Sequence, residues 1–282
     1  MTSKTLAHTT FACLALTGIL LAAQPLRAGQ LPDAVKQAGV LHLSVNATYP
    51  PIEYKDTQTG KLVGLDIDLG EALAKSLGLR IEWTEVAFAQ LMPSLQTGRT
   101  DFILSGLSDL PARHDAMDFI DYLKSGAQFY TLAKNSFSVP EDLCGKRVGT
   151  IRSTSFPDQI RKWSAEHCEA QGKPAIEVVG GENTPDVRTQ LKQDRIDAAV
   201  QGSENIPFMM SQEEGVFKPV GLAFTVLYQG IAFRKSDTEF REAVTDALQA
   251  LIKDGTYQKT LDTWHLSNNA VSGILINGEA RR

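Results

Sequence analysis

Cysteine is scarce in this chain, at three of 282 residues: Cys13, Cys144 and Cys168. They form no CxxC pair and have no histidine pair beside them, which argues against the common zinc patterns. His8, His42, His114, His167 and His265 do not fall at metal-ligand spacings either. Runs of positive charge are also missing. The formal net charge is −5 with the signs interspersed, so there is neither a nucleic-acid footprint nor a polybasic membrane patch. No GxSxG, P-loop, HExxH or dinucleotide fingerprint occurs. These absences lead us to expect no cofactor, no metal and no nucleic-acid partner. What remains is ordinary globular composition, 43% hydrophobic and 22% charged, at a length that suits one large domain or two smaller ones.

The N-terminus carries the one long apolar run. Lys4 precedes Phe11 to Ala23, and Leu26-Arg27-Ala28 fits a small-residue cleavage site. Residues 1–28 therefore read as a secretory signal peptide cleaved near Ala28, with Cys13 as filler inside it. No later segment is long enough to span a bilayer. Export leaves two cysteines, and an even count in an oxidising compartment points to a Cys144–Cys168 disulfide. Closing that loop would add roughly 3 kcal/mol in the chain-entropy picture.

Along the mature chain, short apolar strands alternate with amphipathic helices. Strands are expected at Leu41–Val45, Leu79–Val86 and Asp101–Ser105, with helices from Asp66 to Ser76 and Phe88 to Gln96; Asp66 is expected to cap the first of these helices. The pattern restarts near Val139, with strands at Arg147–Thr150, Ala175–Val179 and Ile196–Val200 and helices between them. A strand at Val226–Phe233 returns, followed by amphipathic helices at Ser236–Ile252 and Thr256–Trp264. Such alternation argues for α/β lobes with crossover helices. We expect a first lobe from 29 to 133, a second from 134 to 229, a return to the first from 230 to 266, and a loosely tied tail from 267 to 282.

One stretch carries chemistry: Ser105-Gly106-Leu107-Ser108-Asp109-Leu110-Pro111-Ala112-Arg113. It follows an expected strand, where ligands bind in open α/β sheets. It also ends in an arginine whose planar fork suits a carboxylate. A second turn, Ser153-Thr154-Ser155, sits between a strand and a helix N-terminus, where N–H groups favour an anion. A carboxylate gripped by both turns would bridge the two lobes.

These residues, in this order, resemble the bacterial extracellular solute-binding proteins of family 3, the polar amino-acid receptors of ABC importers. The resemblance runs through Val45–Tyr54, Gly64–Leu69, Leu91–Asp101, Ser105–Arg113, Gly145–Ser155, Arg195–Ala199 and Ala232–Lys235, covering about Leu31 to Leu266. It implies a type II periplasmic-binding-protein clamshell, each lobe a mixed sheet flanked by helices, closing on a small ligand. Tyr49 and Phe88 match the apolar walls. Ser105, Gly106, Ser108 and Arg113 match the first-lobe segment that binds an α-carboxylate, and Thr154 and Ser155 the second-lobe turn that reaches it. The implied partners are a small carboxylate ligand and an inner-membrane permease, for a monomeric periplasmic protein.

Two positions depart from the family pattern. Gly202 stands where amino-acid receptors of the family place an aspartate for the α-ammonium. Asn46 stands where receptors of basic amino acids place an acid. A buried ammonium without a partner costs several kcal/mol. Either Glu204 supplies the missing acid or the ligand is not a standard α-amino acid, and arginine is disfavoured. Two rivals share the scaffold: a periplasmic dehydratase-like enzyme acting on a cyclic carboxylate, with Glu204, Glu53 or Asp109 as its acid or base, and a sensing partner of a membrane receptor.

Overall fold

A computed structural model describes residue 1 and residues 29–281; the expected signal peptide and Cys13 lie outside them. Two sheets organise the chain. In the first, Val40–Val45 pairs in parallel with Arg80–Glu85. Through single bridges from Ser44 to Ile103 and from Ile103 to Ala232 it connects to the strand Leu227–Arg234. That strand runs antiparallel to Met117–Ser125. The second sheet has the order Glu177–Gly181, Arg147–Ile151, Ala198–Gly202, Ala127–Leu132 and Phe217–Val220. A small antiparallel sheet of Thr48–Tyr49, Glu53–Lys55 and Leu62–Val63 stands beside the first.

The central strands of the two sheets, Val40–Val45, Ala127–Leu132 and Ala198–Gly202, are buried almost throughout, which is why they read as largely apolar runs, whereas the edge strand Arg80–Glu85 is mostly exposed. In the second sheet the neighbours Phe129 and Tyr130 point into separate cores, one holding Ile160 and Trp163, the other Leu191 and Phe217. The first core gathers Leu41, Leu43, Phe102 and Phe233 under the helices Leu65–Ser76 and Thr238–Lys253. Among the described residues no helix is long and apolar enough to cross a membrane. Cys144 and Cys168 form the expected disulfide.

Four expectations need correction. The segment Asp101–Ser105, buried from Phe102 on, makes only the two single bridges at Ile103. Side chains at its start replace ladder bonds: the His42 N–H donates to Asp101 Oδ2 at 2.7 Å, and the Ser44 N–H to Oγ1 of the preceding Thr100 at 2.7 Å. Asp66 does not cap its helix. Gly64 holds that position, and Asp66 is fully buried, accepting from the Gly106 N–H at 2.8 Å and the Tyr122 hydroxyl at 2.9 Å. The chain changes sheets at Gly126 rather than near Ala133, because Ala127–Leu132 pairs wholly within the second sheet, and it is back in the first by Leu227. Residues 267–281 are not a loose tail. Leu275–Ile276 extends the first sheet beside Met117–Ser125, Val271 and Ile274 are buried, and Asn277 brackets Phe119 and Asp118.

Candidate functional site

The two sheets place their strand ends and following turns on either side of one cleft, which encloses a cavity of only about 30 Å³. The first sheet contributes the turn 105–113. Gly106 adopts a positive φ of 54°, a conformation glycine tolerates best. A Cβ there would press on the Tyr49 ring and on Glu53. Ser108–Asp109 pairs with Tyr228–Gln229, and Pro111 opens the short helix that ends at Arg113. Arg113 Nη1 donates to the Ser108 carbonyl at 2.5 Å, which fixes the fork against its own turn, and the guanidinium lines the cleft. Burial lowers its pKa and Asp109 beside it opposes that; an arginine stays charged under both influences.

The second sheet contributes Thr154 and Ser155. The Thr154 hydroxyl donates to the Ile151 carbonyl at 2.8 Å and accepts the Phe156 N–H, tying the turn into the start of the helix Phe156–His167. Ser155 Oγ accepts from Gln159 at 2.9 Å. Tyr49, Phe88 and Asn46 also line the cleft. Asn46 is committed to its own loop: its amide donates to the Val86 carbonyl and its oxygen accepts from Thr48.

Three expected residues lie behind the wall. Ser105 is fully buried, receiving the Asn46 N–H and donating to Glu53 Oε1 at 3.1 Å. Gly202 and Glu204 are absent from the lining. The reason is steric: a Cβ on Gly202 would overlap both the Tyr49 hydroxyl and the Glu204 carboxylate. Glycine at 202 therefore leaves room for Glu204 to fold back. Its carboxylate, 2% exposed, accepts from the Tyr49 hydroxyl, from Gln229 Nε2 at 2.6 Å and from Ser125 Oγ at 2.6 Å. Tyr49, Ser125 and Gln229 belong to the first sheet's side and Glu204 to the second, so this cluster spans the lobes. Asn205 adds a bond to the Pro50 carbonyl.

The lining residues that sequence reasoning missed are the polar Thr48, Ser125, Thr184, Gln201 and Gln229 and the apolar Ile151 and Phe156; Glu53 had entered only as a candidate acid for the enzyme reading. Gln201 donates to Thr184 at 2.8 Å. Both line the cleft, as do Thr48, Ser125 and Gln229. Gln201 had a signal, since it ends an apolar strand run; Gln229 had none. Glu53 faces Asp66, and one oxygen of each is buried without another donor. The two acids are coupled: burial pushes Asp66 up to about 6, and burial together with the Asp66 charge raises Glu53 well above the ordinary glutamate range. Among the described residues no group of three or more His, Cys, Asp or Glu could hold a metal.

Two α/β lobes joined by paired crossings, with polar turns facing one another over a cleft, define a type II periplasmic-binding-protein fold. The chain belongs to the bacterial extracellular solute-binding proteins, family 3, whose model matches residues 41–267. It is 32% identical over 249 residues to an arginine-binding protein of Corynebacterium glutamicum, covering 88% of this chain and 81% of that one. It is 32% identical over 234 residues to a histidine-binding periplasmic protein of Escherichia coli, covering 78% and 85%. An ancestral arginine-binding protein solved with arginine superposes with a TM-score of 0.73 at 32% identity, covering 80% of this chain and 98% of that one.

Proposed function

We propose that the protein is the periplasmic receptor of an ABC importer, a monomer that closes its lobes on a small carboxylate-bearing solute and delivers it to a membrane permease. The observation that carries this is the convergence on one cleft of the Arg113 fork with Ser108 from one lobe and Thr154 with Ser155 from the other. An arginine anchored to its own turn is oriented before the ligand arrives, so little side-chain freedom is lost on binding. Tyr49 and Phe88 supply apolar walls. Ligand that binds only the folded, closed form stabilises it and shifts the population toward closure. The relatives' printed ligands make amino acids and their derivatives the first candidates. Asn46, spent on its own loop, offers no charge to a cationic side chain, so arginine is expected to bind weakly.

Binding is favoured over turnover because, of the three acids the enzyme reading would use, Glu204 is turned into the wall and fully engaged and Asp109 lies outside the lining beside His114, which leaves only Glu53 on the cleft. The test is thermal unfolding of refolded protein against carboxylate solutes. Ligand at 100 times its Kd adds about 2.7 kcal/mol. A stabilising carboxylate that loses its effect in Arg113→Ala supports the reading. Equal stabilisation of Arg113→Ala refutes the assigned role of this arginine, and product formation by the wild type would favour the enzyme.

A further inference from the structure

The charge on the cleft wall specifies more about the ligand than its carboxylate. Among the described residues, Arg113 is the one basic side chain lining the cleft, and Glu53 the one acidic side chain. Glu53 is 1% exposed and holds its proton against Asp66. Asp66 carries the pair's negative charge, but it lies behind the wall, where it accepts the Gly106 N–H and the Tyr122 hydroxyl. The acid of the second lobe, Glu204, takes three neutral donors and reaches the cleft at no point. All three of those donors, Tyr49, Ser125 and Gln229, themselves line the cleft. Gly202 adds no side chain, and none could be added while Glu204 holds its place. The surface that meets the ligand therefore offers one fixed cation and otherwise neutral groups: the amides of Asn46, Gln201 and Gln229 and the hydroxyls of Thr184, Ser108 and Ser125.

A zwitterion in such a cleft would pair its carboxylate and strand its ammonium. A desolvated cation facing only neutral partners is strongly disfavoured. A carboxylate whose other polar groups are neutral meets a complementary wall. Resting on the receptor function proposed above, we infer that this receptor selects carboxylates that lack a basic amine (2-hydroxy, 2-oxo or N-acylated acids) over the matching free amino acids. Selectivity of this kind comes from what the site leaves unpaired in the wrong ligand.

The experiment is equilibrium dialysis of the refolded full-length protein against a defined mixture. The mixture contains L-amino acids with their 2-hydroxy, 2-oxo and N-acetyl counterparts, and retained compounds are quantified by mass spectrometry. We expect an amine-free acid to be enriched over its parent amino acid by about tenfold or more, equal to about 1.4 kcal/mol in affinity. Equal or preferential retention of the parent overturns the inference and leaves the receptor reading standing. Retention of no compound in the mixture overturns both. A second measurement uses Gly202→Asp combined with Glu204→Ala and Tyr49→Phe, which restores an acid at the strand end and removes the two groups it would strike. Its folding is checked by circular dichroism. The preference should swing toward amino acids by about tenfold; a folded variant with the wild-type preference overturns the inference.

Discussion

Replacing Asp121 by asparagine should make the protein more stable at neutral and alkaline pH. Asp121 is fully buried beneath the C-terminal turn, and its Oδ2 accepts the Gly278 N–H at 3.0 Å. Its other oxygen has no donor unless a proton lies between it and Asp109, whose own carboxylate also contacts His114. Burial, with the Asp109 charge beside it, pushes Asp121 up to about 8 from an ordinary 3.8. The folded pKa is raised, so the stabilising contribution is fully present below the unfolded value and is lost as pH rises toward 8. Across that window the folded protein binds more protons than the unfolded chain, and stability falls with pH. Each unit is worth up to about 1.4 kcal/mol, giving a ceiling near 6 kcal/mol. Coupling to a neighbouring carboxylate spreads the titration of a buried acid, so about 2–3 kcal/mol is the expected measurable part. Asparagine keeps the geometry: its oxygen can accept from Gly278 and its amide can donate to Asp109 without titrating. Urea unfolding should therefore show Asp121→Asn more stable by about 2 kcal/mol at pH 8 and no more stable than wild type at pH 4. An equal difference at both pH values, or a loss at pH 8, would refute the raised pKa of Asp121.

Gly202→Ala should push the Glu204 carboxylate off Tyr49 and Gln229, costing about 1–3 kcal/mol as overpacking and opening the cleft. Urea unfolding reads the first effect and the scattering radius of gyration the second; wild-type values in both would contradict the fit described at this glycine. Cys144→Ser with Cys168→Ser should lower stability by roughly 3 kcal/mol, since it frees a loop with a sequence separation of 24. Thiol titration of the unreduced mature protein should find none, and two free thiols would refute the pairing. Ending the chain after Ser267 removes Val271 and Ile274 from the core, with the bonds of Asn277 and Gly278. A loss of at least about 3 kcal/mol is expected from the two aliphatic side chains alone, and an unchanged melting temperature would show the tail to be decoration.

What could be read in advance follows the range of the forces involved. Strand–helix alternation is local, and it placed the helices Leu65–Ser76, Thr184–Lys192 and Thr238–Lys253 to within a few residues. The turn 105–113 was legible for the same reason, because proline, glycine and arginine act on their own neighbourhood. Asp66 was misread as a cap because its real partners, Gly106 and Tyr122, lie 40 and 56 residues away. The strand at Phe217–Val220 was missed because its second-sheet pairing is with Ala127–Leu132, remote in sequence, and its proline argues against a strand. The pairing of Gly202 with Glu204 shows the limit most clearly. Sequence registers a missing acid at one position and a spare acid two residues on. Whether the second replaces the first depends on where its carboxylate points. That direction is set by Tyr49, Ser125 and Gln229, which are 155, 79 and 25 residues from it. Three neutral donors from the opposite lobe draw the acid into the wall, so charge that composition counts in the cleft is withheld from it. The ligand's charge is thus decided by tertiary hydrogen bonding, which no local pattern encodes.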